Sequence, residues 1–157
     1  MKSPRRRSRE FGLQAIYQWQ LAQPSTHELE QQYKLAEGFE KADAELFKTL
    51  ITGVVQNADT LSVAMSPYLD RAWAEVSPVE RAVLLIAGYE LSRMPETPYR
   101  VIINEAIELA KSFGGTDGHK YVNGVLDKFA AITRADEIAA PPLAKRPTAK
   151  RPTAKRR

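Results

Sequence analysis

Helix-start signals recur along this chain at intervals that leave no room for a sheet. Ser3-Pro4, Ser25-x-x-Glu28, Ser77-Pro78-Val79-Glu80 and Thr97-Pro98 each pair a capping residue with a proline at the first helical position, or with an acid three residues on. Between them, no stretch alternates apolar and polar residues for long enough to pair as strands. The chain is therefore predicted to be all-α.

The apolar spacing says which face of each helix turns inward. A first helix from Ser3-Pro4 to about Ala22 places Gly12, Ala15, Ile16 and Trp19 on one stripe, and Pro24 closes it. A second opens at the Ser25/Glu28 capping box and ends near Gly38. Phe47, Leu50, Ile51, Val54, Ala58, Leu61 and Met65 mark a long third helix running to Pro67. In SPVERAVLLIAGYELSR the apolar surface is wide enough for a central helix packed on several sides, its start a second capping box. PYRVIINEAIELAKSFGG carries Ile102, Ile103, Ala106, Leu109, Ala110 and Phe113 inward, with Gly114 as a left-handed terminator.

A chain of 157 residues with 43% apolar content supports one domain with a real core. Residues 1–135 are assigned to it. The remainder, 136–157, repeats AKRPT, is rich in proline and lacks apolar periodicity, so it is predicted to be a disordered basic tail. There is no cysteine, which excludes disulfides and is compatible with a reducing cytoplasm. The longest apolar run, AVLLIAG, is far shorter than the roughly 20 residues a membrane span requires, so no membrane partner is expected.

Charge is partitioned along the chain. Residues 1–10 hold five bases and one acid and residues 141–157 hold seven bases and no acid, so within a total of +4 the intervening body is −7. Basic ends suit a polyanion, and an acidic body suits a basic protein.

The stretch SFGGTDGHKYVNG resembles a phosphate loop, but no strand precedes it and neither the spacing nor the hydroxyl of a Walker motif is present. It is predicted to connect two helices, with Thr116 or Asp117 capping the second. No cofactor or small-molecule substrate is expected. His27 and His119 are too far apart in sequence to suggest a metal site, and Glu105 and Glu108, followed by Lys111, fit surface ion pairing better than acid–base chemistry. The chain reads as a binding module rather than an enzyme. Its candidate nucleic-acid residues are Arg5, Arg6, Arg7 and Arg9 with Tyr17 on the first helix, and Lys120, Tyr121 and Asn123 beside His119 at the start of the last. Guanidinium and ammonium groups bind phosphate, and the phenol rings can stack on bases. Glu75, Glu80 and Asp117 are candidates for receiving a basic protein.

Three segments, RRRSRE at 5–10, INEAIELAKSFG at 103–114 and HKYVNGVLDK at 119–128, together with ELSR, TPYR and AIYQWQL, resemble the NusB family of bacterial transcription antitermination factors. The resemblance spans about residues 2–133, and the basic tail departs from it. It implies an all-helical fold of about seven helices in two packed halves, no catalysis, and binding to boxA elements of single-stranded RNA. It also implies pairing with NusE, a small-subunit ribosomal protein, within RNA polymerase complexes that transcribe ribosomal RNA. Carried over by position, the arginine segment, Tyr17, Lys120, Tyr121 and Asn123 would contact RNA. Two other uses fit the same fold: a domain serving ribosomal RNA modification, and a helical adapter that docks proteins alone.

Overall fold

A computed structural model describes residues 2–140, which form seven α-helices and no strand. They are α1 (Pro4–Ala22), α2 (Thr26–Lys34), α3 (Ala44–Met65), α4 (Pro78–Arg93), α5 (Tyr99–Phe113), α6 (Gly118–Thr133) and α7 (Ala135–Ala139). The expected tail falls outside the described residues from 141 onward. The expected boundary at 136 falls within α7.

Polar side chains begin the helices where the sequence placed them. Ser3 accepts the Arg6 N–H at 3.1 Å, and Ser25 and Glu28 exchange reciprocal bonds at 3.1 and 2.9 Å. α1 stops at Gln23, which sits in the left-handed region (φ 57°) ahead of Pro24. α2 ends at Lys34, earlier than expected. The chain then turns at Gly38 (φ 88°) into a single 3-10 turn, Phe39–Lys41. That turn delivers Phe39 to a ring cluster in which it lies 5.3 Å from Phe11 and 5.1 Å from Phe47, with Tyr33 5.7 Å from Phe47.

α4 is the common wall of the two halves, touching α1 and α3 on one side and α5 and α6 on the other. Every residue from Ala82 to Gly88 is buried. Only half of the capping box expected at its start is made: Ser77 accepts the Glu80 N–H at 3.2 Å, but the Glu80 carboxylate turns away toward α6. Close helix approach depends on Gly53 of α3, where an added Cβ would lie 2.2 Å from Tyr89 Cζ.

Two other helix ends are capped through tertiary contacts. Gly114 is extended (φ −99°, ψ −173°) rather than left-handed, and a Cβ there would meet the Ala110 carbonyl at 2.8 Å. Neither Thr97 nor Asp117 caps through its side chain. Glu137 of α7 accepts the Tyr99 N–H at 3.0 Å instead. Arg134 donates to the carbonyls of Leu91, Glu90 and Met94 at 2.8, 3.2 and 2.9 Å. A buried guanidinium thus satisfies carbonyls at the end of α4 that the helix itself leaves open.

Candidate nucleic-acid interface

Successive helix positions are separated by about 100°, so four arginines crowded into two turns cannot share one face. In α1 they divide. Arg9 turns inward, its Nε and Nη2 donating to the Glu90 carboxylate at 2.8 and 2.9 Å, with both side chains buried. Its assignment as a phosphate contact is therefore corrected: Arg9 joins α1 to α4. Arg6 forms a bidentate pair with Glu105 of α5 at 3.1 and 2.7 Å while staying partly open to solvent. The bond from Arg6, outweighing burial, holds the Glu105 carboxyl below the usual carboxylate range. Arg5 is exposed and lies 3.7 Å from Asp43. Arg7 is half-buried and makes no ion pair among the described residues. Arg5, Arg7 and the outer edge of Arg6 remain for an anion.

Tyr17 lies two turns further along α1, 39% exposed. It borders a shallow surface recess of about 400 Å³ with Leu13, Gln14, Val79 and Phe113. Phe113, expected in the core, is also 39% exposed. It is the last residue of α5, at the end of the stripe. Together the two rings give this side of the domain an apolar surface suited to a flat base or to another protein.

At the start of α6 the candidate residues separate again. Lys120 is 74% exposed and stands 3.4 Å from Asp117. Tyr121 is half-buried beneath Arg71, whose guanidinium lies 4.5 Å from the ring centroid. That face of the ring is occupied by the guanidinium. The phenol oxygen is buried without a hydrogen-bond partner in the described structure, and burial followed by the nearby Asp70 charge pushes its pKa up. Asn123 lies 200° round the helix from Tyr121 and lines a different cleft with Tyr99, Arg100, Asn104 and Asp127. It does not join Lys120 and Tyr121 in one cluster.

The acidic candidates are partly brought together. The Glu80 carboxylate packs on Gly118, where a Cβ would lie 2.4 Å from Oε2. This sets Glu80 beside Asp117 at the positive end of α6, where a carboxylate is favoured. Glu75 is exposed on a separate 3-10 turn, Trp73–Glu75, steadied by Arg81 donating to the Ala74 carbonyl at 3.1 Å. Sequence reasoning missed Arg71, whose loop gives no periodic signal, and Glu105, which it read as a surface ion-pairing residue.

The NusB family model matches residues 6–131. The chain belongs to the NusB family. It is 55% identical over 139 residues to the transcription antitermination protein NusB of Aromatoleum aromaticum, covering 88% of this chain and 96% of that one. Against the same protein of Burkholderia lata the identity is 56%, with the same coverage. Among solved structures, T. maritima NusB superimposes with a TM-score of 0.72 at 34% identity, covering 84% of this chain and 94% of the other. A structure of the antitermination factors NusB and NusE in complex with dsRNA gives a TM-score of 0.70 at 20% identity, covering 80% and 94%, and there the likeness is one of fold.

Proposed function

We propose that this chain is a cytoplasmic transcription antitermination factor that binds boxA RNA jointly with the ribosomal protein NusE. In this reading it acts within RNA polymerase complexes that transcribe ribosomal RNA operons, and it binds rather than catalyses. The observation that carries the two-partner reading is the start of α6. There Glu80 and Asp117 form an acidic edge directly beside the exposed Lys120 and the Arg71–Tyr121 stack. A basic protein seated on the acidic edge would remove the repulsion that a carboxylate pair imposes on RNA phosphates, and would add cations of its own beside Lys120.

The two ligands should then bind cooperatively. A coupling of about 1 to 3 kcal/mol corresponds to a 5- to 150-fold tightening of RNA when NusE is present, and linkage requires RNA to tighten NusE equally. Calorimetry of the full chain with each ligand, alone and in the presence of the other, measures both sides of the cycle. Glu80→Gln should weaken NusE and spare RNA binding by the chain alone. Identical NusE affinity with and without RNA would refute the cooperative mechanism.

A further inference from the structure

Most glycines inside the helices have an internal reason to be there. A Cβ at Gly53 would strike Tyr89, one at Gly88 would press on Met65 at 3.1 Å, and one at Gly118 would strike Glu80. Gly124 has none. It lies in the middle of α6, its backbone is not left-handed, and among the described residues, its chain neighbours and own helix backbone aside, no atom lies within 4 Å of the position its Cβ would take. Glycine inside a helix is less stable than alanine, so nothing within the fold accounts for it. The open space belongs to whatever approaches from outside.

The surroundings indicate the chemistry of that approach. Lys120, Gly124 and Lys128 follow one another at intervals of four along one edge of α6, the two lysines separated by about 12 Å of helix. They border a surface recess of about 240 Å³ with Tyr68, Asp70 and Tyr121. The Asp70 charge is already met by Arg71 at 2.7 Å. Lys128 is exposed and makes no ion pair among the described residues. The recess is thus flanked by ammonium groups, with a gap between them where a chain can lie against bare helix.

We propose that Gly124 is a contact point for the sugar–phosphate backbone of single-stranded RNA, with Lys120 and Lys128 binding phosphates on either side of it. This extends the RNA surface along α6 to two residues, Gly124 and Lys128, and rests on the RNA-binding reading above. A Cβ at 124 would project into the space where the strand lies closest, lifting it from both lysines.

Gly124→Ala tests this because structure and binding are expected to move in opposite directions. In the full-length chain the substitution should raise the Tm by roughly 2 to 4 °C, since alanine favours the helix. It should also weaken a boxA-containing single-stranded RNA about tenfold, the size of one lost charged contact. Lys128→Ala should reduce the slope of log affinity against log salt by about 0.7, as expected for one released counterion site on a single strand. Wild-type RNA affinity in a Gly124→Ala chain that melts higher would overturn the proposal. So would unchanged RNA binding with weakened binding of the basic ribosomal protein, which would make this edge a protein-docking face. Failure of the wild-type chain itself to bind RNA would instead remove the reading on which the proposal rests.

Discussion

The start of α1 and the outer edge of α6 are both rich in cations, yet they use them differently. On α1, Arg9 and Arg6 reach across to Glu90 and Glu105, residues 81 and 99 positions away, and serve to hold helices together. On α6, Lys120 and Lys128 are exposed, and among the described residues Lys120 pairs only with the neighbouring Asp117. The residue types fit the two tasks. A guanidinium binds a carboxylate through two parallel bonds and tolerates burial, whereas an ammonium on a flexible stem suits a solvated surface that meets mobile phosphates. A run of arginines therefore need not be a polyanion site over its whole length.

The largest test of this contrast is Glu90→Ala. It leaves the buried Arg9 guanidinium with only the Glu105 carboxylate, 3.8 Å away, as a counter-charge, so the loss should approach the roughly 3 to 5 kcal/mol of a fully broken buried pair. Denaturant titration should show that loss, while the fraction still folded keeps its RNA salt dependence. An Arg9→Ala chain that unfolded like the wild type but lost RNA would break the comparison. A smaller effect should separate two adjacent arginines. Arg7→Ala should reduce the single-strand salt slope by about 0.7 with little change in stability. Arg6→Ala should change the slope less and remove up to about 1 kcal/mol of stability, because its charge is shared with Glu105.

The smallest effect is expected with pH. The folded state holds Glu105 below its unfolded pKa, so it contributes stability that is fully present above the ordinary carboxylate range. That contribution disappears as pH falls through the depressed value. Denaturation of the wild type and of Glu105→Gln should therefore converge on acidification and differ most near neutrality. Curves that stayed parallel down through the carboxylate range would show that the pair adds nothing.

Local signals carried most of the fold. The Ser25/Glu28 box, Ser3-Pro4 and the stripes of α3 and α4 are short-range patterns, and a helix start needs only the residues within its first turn to be recognised. What stayed illegible depends on partners distant in sequence. Arg9 resembles its neighbours until Glu90 is placed opposite it, and Glu80 resembles a capping acid until Gly118 leaves room for it. Thr97 looked like a cap, but the bond comes from Glu137, 38 residues on from Tyr99 at the start of α5. Asn123 is a different case. Its separation from Tyr121 follows from helix geometry alone, and grouping by nearness in sequence obscured it. Gly124 drew no reading from the sequence, and only the open space beside it makes it informative.

The position of α4 as a wall shared by both halves also governs how the molecule breathes. Its amides are enclosed by α1, α3, α5 and α6, so neither half can detach and leave them in contact with water unless the whole domain opens. Their exchange with deuterium is then set by the free energy of global unfolding, while the ends of α1 and α7 exchange through local fraying. A strand of RNA held by α1 and α6 together would clamp the two flanks of that wall, and its presence would be recorded in the exchange rates of amides it never touches.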